Sequence, residues 1–524
     1  MADRKELFSK YDWPGWARTN PRYMRLTELD LFLEGKAYDH LPYSFNKEEK
    51  ENGDMISIYD RRPSVTYNIP GMVARITSRK LFAGRHAPTL YHKNPKFLEK
   101  IKRLVKEAKL GALMPFIVRA GSVGSACLTF KVVGKEAKAR LKCEVWAARW
   151  CQPTFDLFGD LHKLRIAYPA PGAQFIESGY LFDNKDKKID ITQRYWRVFD
   201  LDRMTEVNYQ PMLENTFNPV DPGTWDQLVE DKKYRIEHNL GIVQAYWFQN
   251  LAGGVGYDGA CTWEDAIQLT ITSDYELSQL NRGVNYNAAP QIVTIGKMLK
   301  FAGDAGTSRS PAIILPFAAP QREMDGSTIG GGDAKLLEMQ GDGIKVGLEL
   351  AKCLRKLALE QIGAGRKDPD EVNGIITGKA MELLDEDFID LTSELKTAYG
   401  ENGYIEVVKL QATVAIAAKH PIMAGEDPKE VDGLSLVWPR IYDPTPQEVM
   451  QLVQGMSQAV GGTNSAGQSS PQIVKPDDAT ALLYAQIDFP SNSENRNEHD
   501  ESIQTGATEL PDKDPDNINP PLAS

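Results

Sequence analysis

The sequence predicts an α+β fold, and three observations carry the prediction. Between residues 113 and 260, short β-rich runs follow one another, separated by Asn and Asp turns. After residue 262, apolar residues recur at three- and four-residue spacing, the mark of amphipathic helices. Strands and helices nowhere alternate regularly enough for a doubly wound parallel sheet.

Residues 1–90 are rich in Pro, Tyr, Arg and Asp, which predicts irregular structure with short helices such as 25–33. Asn94-Pro95 opens a helix, because proline is tolerated in a first turn. Its apolar stripe is Phe97, Ile101, Leu104, Val105 and Ala108, and the opposite lysines (Lys96, Lys100, Lys106, Lys109) read as a solvated face. Strands are predicted at 126–133, 141–147, 164–168, 195–201 and 242–248, with Trp146, Trp150, Trp196 and Trp247 packing their core. A helix over 262–280 is anchored by Trp263, Ile267, Ile271 and Leu277. Strands at 291–295 and 312–317 follow, the latter between Gly/Ser-rich loops at 303–310 and 326–333.

A longer helix is predicted over 341–363, with Val346, Leu350, Cys353/Leu354 and Leu357 along one face. A charged loop, 364–376, leads to a second helix from Thr377 that carries Met381, Leu384, Phe388, Leu391 and Leu395. Residues 399–403 interrupt it, and periodicity resumes over 404–418. These stripes fit core helices of a large domain or helices packed between subunits, and the pattern alone does not choose. A strand at 434–439, a helix from Pro446 carrying Val449, Leu452, Val453 and Met456 inward, a loop at 461–470 and a helix over 477–487 complete the folded part.

Composition narrows the function classes. Mean hydropathy is −0.40, and the longest strongly apolar run, 312–319, falls far short of the ~20 residues of a membrane helix. The N-terminus has no apolar signal core, which points to a cytoplasmic setting. Five cysteines without a C-x-x-C pair, and seven scattered histidines, argue against a disulfide framework or a structural metal. The net charge of −11 is uneven: residues 491–524 hold eight acidic residues against Arg496 and Lys513, which predicts a disordered acidic tail.

Three segments merit a chemical reading. Gly254-Val-Gly-Tyr-Asp-Gly259 matches G-x-G-x-x-G, with Asp274 and Glu276 roughly twenty positions on, so a nucleotide-dependent enzyme built around this loop is the alternative reading. Without repeated βαβ units around it, a tight turn is the simpler account. No P-loop motif is present, and Ser122 and Ser125 lack the G-x-S-x-G setting of a nucleophile elbow. Asp385-Glu386-Asp387 has the charge for a nuclease metal site, but in mid-helix successive side chains point about 100° apart and do not converge on one ion. The sequence therefore predicts no enzyme, no cofactor and no metal.

Several pieces, in order, resemble the portal (head–tail connector) proteins of tailed bacteriophages. Leu280-Asn-Arg-Gly-Val-Asn-Tyr-Asn-Ala-Ala-Pro-Gln-Ile-Val-Thr-Ile-Gly296 is similar to that family's helix leading into a strand. Thr377-Gly-Lys-Ala-Met-Glu-Leu-Leu384 is similar to its helix start after a loop. Leu436-Val-Trp-Pro439 and Pro444-Thr-Pro-Gln-Glu448 resemble its strand, proline-rich turn and helix, and Ala120-Gly-Ser-Val-Gly-Ser-Ala-Cys-Leu128 resembles its glycine-containing strand. The resemblance spans residues 75–490, and the first 74 residues match none of it.

The resemblance implies a portal-type ring subunit with an α+β wing, a helical stem, a small β-containing clip and a helical crown. Residues 1–262 become N-terminal region and wing, 263–289 stem helix one, 290–340 clip and 341–363 stem helix two. Residues 364–376 become a tunnel loop, 377–403 a kinked helix, 404–443 the wing return, 444–490 the crown and 491–524 the tail. It further implies a ring, typically of twelve copies, at one capsid vertex of the virion, assembled in the host cytoplasm, through which double-stranded DNA is packaged and ejected. Its partners would be the terminase large subunit, the major capsid protein and a head–tail adaptor or tail protein, with no membrane. Arg366, Lys367, Asp368, Asp370 and Glu371 would face DNA; Thr377, Gly378 and Lys379 would start the next helix. Val346, Leu350, Leu354, Leu357, Met381, Leu384, Phe388 and Leu391 would pack between subunits. Thr377 stands where serine is commoner in the family, and both cap helices.

Overall fold

The computed structural model describes residues 4–134, 138–219, 221–288, 291–295, 321–322, 328–329, 333–337, 342–365, 386–439, 450–451 and 453–455. The chain divides into two units, 1–375 with 381–441, and 376–380 with 442–524.

The larger unit opens with helices α1 (Arg4–Ser9) and α2 (Pro21–Glu34), a short parallel pair β1 (Tyr43–Ser44) and β2 (Arg61–Arg62), and helix α3 (Ile69–Phe82). Strand β3 (Thr89–Tyr91) and helices α4 (Pro95–Glu107) and α5 (Leu110–Gly121) follow. Asparagine starts three of these helices: Asn20, Asn68 and Asn94 each accept a first-turn amide, with proline at the first or second position after them. The side-chain oxygen satisfies a donor that a helix N-terminus leaves open, and proline there sacrifices none. Helix α5 departs from the predicted strand-like reading of 113–121. A short apolar run cannot be assigned by periodicity, and Pro115 is accommodated inside the helix.

Next come β4 (Ser125–Val133), β5 (Arg140–Ala147), β6 (Cys151–Phe155), β7 (Leu161–Pro171), α6 (Gly172–Glu177), β8 (Arg194–Asp202), β9 (Thr205–Asn208), β10 (Met212–Leu213), α7 (Pro222–Trp225), β11 (Ile236–Glu237) and β12 (Ala245–Gln249). They form two antiparallel sheets, one ordered β12-β4-β5 and the other β11-β9-β8-β7-β6 with β10 beside β8. The fold class is thus α+β, with segregated helices and antiparallel strands.

Helix α8 (Ile267–Ala288) leads to β13 (Gln291–Ile295), β14 (Gln321–Arg322), β15 (Thr328–Ile329) and β16 (Asp333–Leu337), paired antiparallel as β13 with β16 and β14 with β15. The predicted 326–333 loop therefore contains β15 and the first residue of β16. The predicted 303–310 loop and 312–317 strand lie outside the described residues. Helix α9 (Asp342–Gln361) returns, and after residue 385 come α10 (Glu386–Lys396), α11 (Ile405–Ala417) and β17 (Ser435–Val437), which pairs with β3. Between α10 and α11 the predicted interruption is a π-helical segment, Thr397–Tyr404, so the helix continues with a widened turn.

That segment is held by three close approaches. A Cβ on Gly121 would lie 2.2 Å from the Tyr399 hydroxyl, one on Gly400 would lie 2.1 Å from the Trp438 ring, and one on Gly403 would lie 2.8 Å from Phe248. Glycine lets α5, β12 and the residues after β17 press onto the π turn. Around it lies one core, with Phe97, Ile101, Met114, Leu128, Phe248, Leu395, Tyr399 and Val408 buried together. A second core joins α2 and α3 to Trp263, Ile267 and Ile271 and to Ala358 of α9.

In the smaller unit, 450–451 and 453–455 are helical. Met450 and Val453 are exposed there, so Val453 does not turn inward as its spacing predicts. The tail and the 477–487 helix lie outside the described residues.

Candidate subunit-contact surface

Helices α8 and α9, 22 and 20 residues long, extend about 33 and 30 Å at 1.5 Å per residue. They run side by side in opposite directions. Gly347, in the first turns of α9, meets Leu280 in the second half of α8, while Ala358 and Ile362 reach the core of Trp263 and Ile267. A Cβ on Gly347 would stand 2.4 Å from Leu280 Cδ2.

The face that α9 turns inward is made of small residues. Ala351 and Ala358 are buried, with Ile362 ending the stripe. At 100° per residue, Gly347, Ala351, Ala358 and Ile362 fall within an arc of about 60°. Val346, Leu350, Cys353 and Leu357 fall within another arc of about 60°, centred about 120° away. That second stripe is in solvent: Val346 is 65 %, Leu350 46 % and Leu357 46 % exposed, and Cys353 is exposed too. Its spacing of four, three and four residues is the knob pattern of a helix–helix seam.

The other predicted contact residues divide differently. Leu354 is half-buried between the two stripes. Phe388 and Leu391 are buried by the chain itself, Leu391 packing in the core with Leu395 and Tyr399. Met381, Leu384, Thr377, Gly378, Lys379, Arg366, Lys367, Asp368, Asp370 and Glu371 lie outside the described residues.

Sequence reasoning missed what grips α8 from its other side. Asp274, 2 % exposed, accepts the Tyr67 amide at 2.6 Å and the Tyr38 hydroxyl at 2.9 Å. One turn on, Ser278 Oγ accepts the Val65 amide at 3.1 Å and donates to the Asp274 carbonyl at 2.8 Å. Tyr275 donates to the Arg61 carbonyl at 3.2 Å, and Arg282 pairs with Glu48. Arg355 of α9 lies 4.7 Å over the Tyr67 ring. Residues 38–67 therefore form a strap along α8. Burial pushes the Asp274 carboxyl up to about 7, against the two hydrogen bonds that favour its charged form.

The 254–259 loop is closed on itself. A Cβ on Gly254 would sit 2.0 Å from the Asp258 carbonyl, and the Gly259 amide donates to the Gly124 carbonyl at 3.0 Å. Arg22 clamps Asp258 with contacts of 2.6 and 3.0 Å and lies 4.7 Å over the Tyr257 ring. The preceding strand, β12, is an edge strand of an antiparallel sheet, and α8 begins only after a 3-10 turn at Glu264–Ala266. A dinucleotide fingerprint runs from a parallel strand straight into the mouth of a helix, and this loop does neither. Glu386 and Asp387 open α10 and point into solvent, and Asp385 lies outside the described residues. Among the described residues no group of three metal-ligating side chains converges, and no helix is long and apolar enough to cross a membrane.

No family model matches the chain, and no curated protein does. Among solved structures it is similar to a chain of one described as "Virion of native gene transfer agent (GTA) particle", with a TM-score of 0.33 and 10% identity. The match covers 79% of this chain and 88% of that one.

Proposed function

We propose that the chain is the subunit of a portal ring, the channel at one vertex of a phage-type virion through which double-stranded DNA enters and leaves. The observation that carries this reading is the exposed seam Val346–Leu350–Cys353–Leu357 on a helix whose inward face is already occupied. Covering an exposed Val or Leu gains about 1.5–3 kcal/mol when burial is complete. Starting from half exposure, three such residues supply about 3 kcal/mol per interface, repeated at every contact of a closed ring.

In this reading α8 and α9 are stem helices, β13–β16 belong to the clip, and the two antiparallel sheets with their helices form the wing. The chain itself performs no catalysis. A terminase drives the DNA, and the capsid protein and a head–tail adaptor contact the ring. Arg366 and Lys367, with Asp368, Asp370 and Glu371, line the passage, and the virion is assembled in the host cytoplasm.

Native mass spectrometry with negative-stain imaging tests the ring. The full-length chain should assemble into closed rings, and the V346E/L350E variant should remain a folded monomer with unchanged far-UV circular dichroism. Rings formed equally well by that variant would refute the seam. A wild-type chain that stays monomeric at all concentrations and salt levels would refute the portal reading. R366A/K367A should assemble normally yet fill particles with less DNA.

A further inference from the structure

Residues 75–109 hold eleven Lys and Arg against Glu99 and Glu107, inside a chain whose net charge is −11. The core of this stretch is α4, a 13-residue helix with Phe97, Ile101 and Leu104 buried on one side. Its opposite side carries Lys96, Lys100, Lys102, Arg103 and Lys106 within an arc of about 160°, and Lys109 follows at its end.

The two acids do little to neutralise this face. Glu107 is turned inward, accepting the Leu141 amide at 2.7 Å and lying 3.1 Å from His420 Nε2. Glu99 is held by Arg103 at 2.6 Å. Lys100 pairs with Glu426, whereas Lys96, Lys102, Lys106 and Lys109 are exposed and make no ion pair with the described residues. Like charges crowded on one helix repel, and such a face costs stability until a polyanion meets it.

We propose that this face of α4 binds the phosphate backbone of duplex DNA without reading its sequence. The helix spans about 20 Å, the length of about six base pairs, with cations about every 4 Å along it against one phosphate per 3.4 Å of each strand. An acidic protein would need an apolar or aromatic anchor at the centre of the contact. The polar arc of α4 has none: its exposed members are lysines, Arg103, Glu99 and Pro95. The inference stands apart from the portal reading, because it requires a polyanion and not a ring.

Fluorescence anisotropy with a mixed-sequence 30-base-pair duplex, titrated from 50 to 200 mM NaCl, tests it on the full-length chain. Each phosphate contact contributes about −0.9 to the slope of log K against log salt. K96Q/K102Q/K106Q should therefore flatten the slope by about 2.7, and the wild type should lose about 40-fold more affinity than the variant across that range. K185Q/K187Q, in an exposed loop elsewhere, should bind as the wild type does. An unchanged slope in the triple variant overturns the proposal. So does displacement of the DNA by polyglutamate of equal total charge, which would make an acidic polypeptide the ligand. Light scattering on the same samples reports ring formation separately: monomers that bind DNA through α4 would sink the portal reading and keep this one, and rings indifferent to the triple substitution would do the reverse.

Discussion

Replacing Asp274 by Asn probes the strap that holds α8. The buried carboxyl sits between the Tyr67 amide and the Tyr38 hydroxyl, and its folded-state pKa is about 7 against an ordinary 3.8. At 1.36 kcal/mol per unit, the charged form is disfavoured in the fold by about 4 kcal/mol. The sign follows from proton counting. Between pH 4 and 7 the folded chain keeps a proton that the unfolded chain has released, so stability falls as pH rises. The contribution is fully present below the unfolded value and gone above the folded one. Asparagine keeps the acceptor for Tyr67, and its amide donates to the Tyr38 oxygen, with no charge to bury. D274N should thus match the wild type near pH 4 and exceed it by up to about 4 kcal/mol at pH 8. Tyr38 and Tyr275, both pushed further up by burial, stay neutral throughout. Urea denaturation followed by tryptophan fluorescence at pH 4, 5, 6, 7 and 8 gives both curves. Parallel pH dependences, or a variant weaker than the wild type at pH 8, would refute a buried carboxyl that titrates near neutrality.

Three further substitutions test the packing around the sheets and the π turn. Y399F removes a fully buried hydroxyl that donates to Asn250 Oδ1 at 3.0 Å; it should cost about 1–3 kcal/mol in urea denaturation because that oxygen loses its donor. D200N removes the charge that pairs with Arg165, which holds Asp200 through two 2.6 Å contacts, and should cost about 3–5 kcal/mol at pH 7. Burial raises the Asp200 pKa, but Arg165 and Lys163 outweigh it and hold it below the usual range, so the wild-type advantage should shrink as pH falls through the acid range. G400A places a Cβ 2.1 Å from the Trp438 ring and should lower Tm and change the near-UV tryptophan signal, at a cost of about 1–3 kcal/mol.

How much of this was legible follows from which physical signals a sequence carries openly. The helix starts at Asn94-Pro95 and the main strands were readable because capping and β-rich runs are local properties. The bulky stripe of α9 was readable for the same reason, but which side of it faces the chain was not. Hydrophobic periodicity favours large residues, whereas α9 packs inward with Gly347, Ala351 and Ala358, whose virtue is smallness. A glycine and two alanines at offsets of four and seven was the available signal. On α8 the spacing pointed to Leu277, which is half-buried, and passed over Asp274 and Ser278, which are buried. Polar residues read as a solvent face until the strap that satisfies them is known, and that strap comes from more than 200 residues earlier in the chain. The glycine motif failed for the opposite reason: its spacing was right, and the sheet around it, antiparallel with β12 at an edge, was wrong.

The exposed faces of α9 also bear on what kind of assembly the proposed contact forms. A seam that met its own copy would be isologous and close a dimer, whereas a ring needs two unlike faces that meet head to tail. α9 has an exposed apolar residue outside the seam, Leu348, 47 % exposed and on the flank nearly opposite it. Val284 of α8 is exposed as well. If the seam of one subunit meets the Leu348 flank of the next, L348E should block assembly as completely as V346E/L350E does, although it leaves the seam intact. Mixing the two blocked monomers then separates the cases. Each retains the face that the other lacks, so a head-to-tail contact predicts a one-to-one heterodimer that grows no further. A self-complementary seam predicts a different result, with L348E alone forming dimers and the mixture forming nothing new. Native mass spectrometry of the two variants, apart and mixed, distinguishes these outcomes by mass alone. L348E assembling into full rings would show that the Leu348 flank is not the second face.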